Sequence, residues 1–450
     1  MAEDSQPPGD DAANQSQDWL RRGDDLVQQN RPEEALLAYE QAIRLDPGNA
    51  RAYHAKGVAL GKLARHDAAL AAFEQALRFN PDRASTLSNK GFALSQLGRY
   101  DEALASYDAA IRLDTKDATL WIKKGDALAD LRQYEEALVA YNEALRLDPN
   151  STLAYNNKGV TFADLERYDE AFAAYEQALS LDPKLALAHY SKGAALANLE
   201  RNEEALRFFD QAFRLDPGNI DALRNKGSML YRLERYREAI EIFDQALHLR
   251  GDDADTYYNK GLAMTELGRY EEALEAYEQT LRLDPSYSYA HYYKGIALDV
   301  LEKHEEALHA YDEELRMHSD DADVYYNKGV ALGEMGRHEE AISAYEETVR
   351  LDPGYVSAWC NKGCELLDLR RYKESLEALD QAVSLDADQV SIHGNRGIAL
   401  ARLGQYEDAV RAFDEVLRLD PNDTEAYRQK GQALLALYPY IPPRQTDKAG

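Results

Sequence analysis

The stretch DTYYNKGLAMTELGRYEEALEAYEQTLRLDP, residues 255–285, holds two runs whose apolar residues recur every three or four places. That spacing collects the apolar side chains of each run on one side of a helix, so the stretch predicts two amphipathic helices packed as a hairpin. Asp284 and Pro285 end the second run, because the residue before a proline is driven out of the helical backbone region. Gly261, in the middle of the first run, costs a helix roughly 1 kcal/mol relative to alanine. Its presence there predicts that another backbone comes close.

The hairpin recurs along the whole chain. Glycine stands at 23, 57, 91, 125, 159, 193, 227, 261, 295, 329, 363, 397 and 431, always 34 residues apart, with no insertion or deletion. Such a period marks stacked structural units whose faces are buried only by their neighbours. Units therefore begin at 16, 50, 84, 118, 152, 186, 220, 254, 288, 322, 356 and 390, followed by a lone first helix at 424–437. A small residue holds the twentieth place (Ala35, Ala103, Ala273, with Ser375 the exception) and is the expected counterpart of the glycine. A ring holds the twenty-fourth (Tyr39, Phe73, Tyr107, Phe243, with Leu379 in its stead once) and has the volume to fill the wedge between hairpins. Glutamates such as Glu271 and Glu272 open the second helix and arginines such as Arg282 close it, both favourable to the helix dipole.

In one copy Trp121, Gly125, Ala137, Tyr141, Ala144 and Pro149 carry a pattern that closely resembles the tetratricopeptide repeat (TPR) family, over residues 16–437. The leucine usual just before the family's glycine is here always Lys or Arg, from Arg22 to Lys430, and proline is missing at Thr115, Gly251, Ser319 and Ala387. The resemblance implies an all-α, right-handed superhelical solenoid of antiparallel helix pairs. In it the first helices would line a groove that binds peptides or protein segments.

A helical wheel groups the second, fifth, sixth, ninth, twelfth and thirteenth places of each unit away from the glycine face. The sixth place is asparagine at Asn89, Asn157, Asn225, Asn259, Asn327, Asn361 and Asn395. A carboxamide donates to a peptide carbonyl and accepts from its N–H, so a row of them can hold backbone of any sequence. This row is similar to the one in the TPR region of O-linked N-acetylglucosamine transferases, although no catalytic domain is recognisable here. The competing reading is a plain solvated surface choice. For the neighbouring Lys or Arg the favoured reading is a stem laid along the adjacent helix with its head on a carboxylate. Tyr258, Tyr292 and Tyr326 at the fifth place, with Tyr289 nearby, form an aromatic strip in the same groove. Such a strip suits anchoring a partner, or equally the packing of rings on adjacent first helices. The same three units lose the small residue at the twenty-seventh place to Thr280, Glu314 and Thr348, which predicts a looser middle.

Composition narrows the function. The 81 acidic and 52 basic side chains give a formal charge of −29, which argues against nucleic acid or anionic membrane and favours a basic protein segment as partner. The two cysteines, Cys360 and Cys364, fit a reducing compartment, and with Asp368 and His393 they offer too few converging ligands for a metal site. His66, His304 and His338 stand where other units have tyrosine and read as packing. No cofactor motif or nucleophile–base pattern is present, so a non-catalytic, cytoplasmic interaction scaffold is expected. The alternatives are the regulatory or substrate-targeting arm of an enzyme whose catalytic domain lies on another chain or is absent here, and self-association through the ends of the stack. Residues 1–15, acidic and nearly devoid of apolar side chains, predict a disordered tail. Residues 438–450 form a proline-rich tail that forbids a regular second helix.

Overall fold

A computed structural model describes residues 8–438, and among them every element is a helix: 25 in all, from Pro8–Gln28 to Thr424–Leu437, with no strand. The chain is an all-α repeat solenoid. It divides within the helix Ile220–Arg232 into two compact units, Met1–Met229 and Leu230–Gly450. Inside each unit the helices pair in sequence order, as Ala118–Asp130 pairs with Tyr134–Leu147 in the first and Ala254–Glu266 with Tyr270–Leu283 in the second. First helices of successive repeats also lie against one another, which makes theirs the inner, more closely spaced row.

The recurring glycine has its physical explanation in the ring sixteen residues later. A Cβ added at Gly125 would stand 2.5 Å from Tyr141 Cε1, and one at Gly261 would stand 2.6 Å from Tyr277 Cε1. The rings are fully buried, each such side chain contributing roughly 1.5–3 kcal/mol through the area it removes from water. The residue at the twentieth place was expected to face the glycine. It does lie beside the glycine's backbone, since Ser375 Oγ donates to Gly363 O at 2.8 Å, but the space left by the missing side chain belongs to the ring. In that same repeat Leu379 takes the ring's place over Gly363.

Each turn between the two helices of a pair passes through one residue with positive φ, as at Arg132 (58°), Glu166 (58°) and Gly268 (70°). This left-handed conformation lets the helix C-terminus bend back, and most repeats adopt it without glycine. Between most pairs, an aspartate follows the second helix and makes the turn, its Oδ1 accepting the N–H two residues on, as in Asp148 with Asn150 N at 3.0 Å. Asp114 and Asp386 do the same where proline is absent, while Asn80, Arg250 and His318 stand in the aspartate's place at three joints.

The invariant cation locks each pair to the one before. Lys124 Nζ lies 2.7 Å from Asp108, Lys226 2.6 Å from Asp210, Lys260 2.6 Å from Asp244 and Lys328 2.6 Å from Asp312, always sixteen residues back. The side chains are largely covered and their heads rest on carboxylates, as expected from the sequence. Lys158 is the exception with a reason: the residue sixteen back is Asn142, and its ammonium sits instead over the Phe162 ring at 5.7 Å. Lys124 and Lys362 also lie over Trp121 and Trp359, and Arg22 over Trp19.

Two places depart from expectation. Residues 8–15, predicted as part of a disordered tail, belong to the helix Pro8–Gln28. Good helix formers such as Ala12, Ala13 and Gln15 extend the helix upstream, and Ser16 is buried, its Oγ donating to Ala42 O at 2.8 Å. The remainder of that tail, residues 1–7, and residues 439–450 of the proline-rich tail lie outside the described residues.

The second departure is in the repeat beginning at 288. Its first helix starts late, at Ala290, because Tyr289 adopts φ 63°, the one positive φ among described residues that is not in a turn between paired helices. Glu314, wholly buried where most repeats carry alanine, accepts from Tyr289 N at 3.2 Å and from Tyr292 N at 3.3 Å. A buried carboxylate is costly unless hydrogen-bonded, and here it occupies the positive end of a helix dipole. His318 Nδ1 completes its shell at 2.7 Å. Thr280 and Thr348, at the same place in the adjoining repeats, are also fully buried and donate to Ala276 O and Ala344 O at 3.1 Å. Polar substitution at this place is thus satisfied internally.

Candidate peptide-binding groove

The sixth-place asparagines lie half-buried along the inner row, and most of them reach back to the preceding repeat. Asn225 Nδ2 donates to Tyr190 Oη at 3.1 Å, Asn327 Nδ2 to Tyr292 Oη at 3.0 Å and Asn361 Nδ2 to Tyr326 Oη at 3.2 Å. Where the fifth place is not tyrosine the bond shifts to the ninth: Asn157 donates to Asp126 Oδ1 at 2.8 Å and Asn395 to Cys364 Sγ at 3.0 Å. Among the described residues, Asn89 and Asn259 make no side-chain hydrogen bond of this kind. The carboxamide nitrogens therefore lace successive first helices together. Among the described residues no hydrogen bond is made to the Oδ1 of Asn225 or Asn327. The partners Tyr190 and Asp126 were not singled out from the sequence, and Cys364 was weighed there only as a thiol and metal ligand. The signal that would find them is an offset of 35 or 31 residues to a hydrogen-bonding side chain.

The predicted tyrosines fall into two kinds. Tyr258 packs among Tyr277, Tyr287 and Tyr293, with the Tyr287 ring centroid 4.9 Å away, and Tyr326 packs on Tyr345 and Tyr355. Tyr292 lies against Tyr293 and Tyr311. Burial, with Asp323 nearby, pushes the Tyr292 hydroxyl up to about 12, and burial likewise raises that of Tyr258, so both stay protonated in neutral solution. These three rings are half-buried members of the wall. Tyr289 differs: it is 44% exposed and stacks on His318 with centroids 5.7 Å apart.

The first unit also exposes apolar side chains on its inner row, which the sequence analysis placed only in the second. Leu153 and Leu187 at the second place and Phe92 and Val160 at the ninth are all exposed. A cavity of about 310 Å³ lies beside Asn89, walled by Val58, His66 and Phe92.

Local electrostatics follow from burial. Desolvation raises the Asp126 carboxyl, and hydrogen bonds from Tyr141 and Asn157 pull it back. The free thiols Cys360 and Cys364 share a hydrogen bond that lowers Cys360 against the opposing effect of burial and, together with burial, raises Cys364. His393, buried, is bonded through Nε2 to Ala387 O at 2.8 Å, and no three-ligand cluster among the described residues includes a cysteine. No described helix is long and apolar enough to cross a membrane.

Paired helices of fixed length, a glycine under each ring and a laced inner row define a tandem helical-hairpin repeat protein. Family models for the tetratricopeptide repeat match residues 54–118, 88–152, 122–186, 156–220, 292–356, 360–424 and 395–437, and further repeat models match 23–63 and 219–286. The chain belongs to the tetratricopeptide repeat family. Such proteins generally mediate protein–protein interaction. No curated protein matches the chain. Similar solved structures include YrrB, described as a TPR protein with an unusual peptide-binding site, 27% identical with a TM-score of 0.36 over 42% of this chain and 97% of that one. Another is the APC/C hetero-tetramer Cut9-Hcn1, 15% identical with a TM-score of 0.40 over 94% of this chain and 97% of that one. A third, the MamA RS-1 ArsTM double mutant, is 21% identical with a TM-score of 0.36 over 38% of this chain and 95% of that one.

Proposed function

We propose that the chain is a non-catalytic scaffold whose inner row of first helices takes a peptide segment of a partner protein. The observation that carries this reading is the composition of that row. Exposed apolar side chains (Phe92, Leu153, Val160, Leu187 and Tyr289) share that row with carboxamides such as Asn225 and Asn327, whose Oδ1 atoms accept no hydrogen bond among the described residues. Apolar side chains supply contact area, and unused acceptors can receive peptide N–H groups without reading side chains. Asn89, Asn157, Asn259 and Asn395 extend the row, and Tyr258, Tyr292 and Tyr326 wall it. A net charge of −29 draws basic segments toward it.

The test is site-resolved crosslinking. A photoreactive phenylalanine analogue is placed at Tyr289 or Leu153 on the inner row, and at Val139 or Leu37, which are 63% and 64% exposed on second helices. Peptides selected from a random library for binding the full chain are then irradiated. Crosslinks from the inner pair alone support the reading. Crosslinks confined to the outer pair would overturn it.

A further inference from the structure

The structure departs from the packing role expected of two histidines. His304 and His338 open the second helices His304–Met317 and His338–Leu351, at the place where most repeats carry tyrosine. His304 Nδ1 lies 2.7 Å from Asp299 Oδ1 and 3.6 Å from Glu334 Oε2. His338 Nδ1 lies 2.6 Å from Glu365 Oε2, with Asp368 as the third member. In each triad the ligand atoms all stand within 4.8 Å of one another. A second observation sets these acids apart: nearly every first helix donates a cation to a neighbouring carboxylate, yet no lysine or arginine among the described residues pairs with Asp299, Glu334, Glu365 or Asp368. Glu365 also reaches its histidine across Gly333, where an added Cβ would stand 2.5 Å from its Oε1.

We propose that the two triads, Asp299–His304–Glu334 and His338–Glu365–Asp368, are sites for a borderline divalent metal ion, with Zn²⁺ the best fit. One imidazole nitrogen and two carboxylates suit Zn²⁺ better than Mg²⁺ or Ca²⁺, which prefer all-oxygen shells. Tetrahedral coordination at about 2.0–2.2 Å places donor atoms roughly 3.3–3.6 Å apart, so the present hydrogen-bonded spacings need only small side-chain rotations. Water would complete each shell. Both triads bridge a seam: Asp299 and His304 come from one repeat and Glu334 from the next, then His338 from that repeat and Glu365 with Asp368 from the following one. A bound ion would staple the repeats that carry Tyr292, Tyr326 and Asn327. His66 is an internal control, since it holds the same place but lies against Phe92, at a centroid distance of 6.5 Å, and belongs to no three-ligand cluster among the described residues.

The test is calorimetric titration of metal-free full-length protein with ZnCl₂, with Co²⁺ absorption as a coordination signature. Two equivalents are expected in the native chain, one in H304Y, one in H338Y and none in the double variant, while H66Y keeps both. Tyrosine stands at this place in other repeats, so circular dichroism should show all variants folded. If a variant misfolds, the near-isosteric pair D299N and E365Q replaces it and carries the same expectation. Absence of uptake by the native chain at millimolar Zn²⁺, or unchanged uptake in the folded double variant, would overturn the proposal.

Discussion

At the scale of single residues, the recurring glycine is the sharpest constraint. Its missing Cβ is the room in which a buried ring sits, so Gly125→Ala or Gly261→Ala must push Tyr141 or Tyr277 aside. Overpacking of this kind costs about 1–3 kcal/mol, more than the ~1 kcal/mol that alanine returns in helix propensity. Gly431 is the matched contrast, because nothing stands within 4 Å of its Cβ direction, and Gly431→Ala should be neutral or mildly stabilising. Thermal melting followed by circular dichroism separates the two outcomes, and equal effects at all three sites would refute the account. The period and the glycine were legible in the sequence because helical spacing repeats in register. The glycine's true counterpart was not. The twentieth and twenty-fourth places lie one turn apart on the same face of the second helix, and spacing alone cannot rank them.

At the scale of the helix, one carboxylate replaces a small side chain and reshapes a start. Glu314 holds Tyr289 N and Tyr292 N, and the helix begins two residues late. Glu314→Ala removes both acceptors from a buried site, at a cost of roughly 1–3 kcal/mol. Hydrogen exchange should quicken at the Tyr289 and Tyr292 amides while distant repeats hold their protection; unaltered exchange there would show the cap to be idle. From the sequence alone Glu314, with Thr280 and Thr348, read as lost packing and a loose middle. Each in fact finds a hydrogen-bond partner within its own repeat. The asparagine row shows the same limit. Its placement on the inner face follows from a helical wheel, but its partners lie in another repeat, 31 or 35 residues earlier, where the relative setting of two hairpins decides the contact.

At the scale of the whole molecule, the seams are built alike, so their parts should be exchangeable. Excising residues 118–151 would seat the following repeat on the one before it, and would give Lys158 the Asp108 carboxylate that Lys124 now uses. Such a variant is expected to keep its helical signal per residue and to melt no more than about 5 °C lower, since stability in stacked repeats is close to a sum over neighbours. A broad, non-cooperative melt would show instead that each seam is individually fitted. The stacking of cations on indoles has an optical consequence. Trp19 and Trp121 belong to the first compact unit and Trp359 to the second, each beneath a guanidinium or ammonium within 5.6 Å. Emission from the unlabelled protein therefore reports the first unit alone once Trp359 is exchanged for phenylalanine, and the second alone once Trp19 and Trp121 both are, and the colour of each signal changes as its covering cation lifts away.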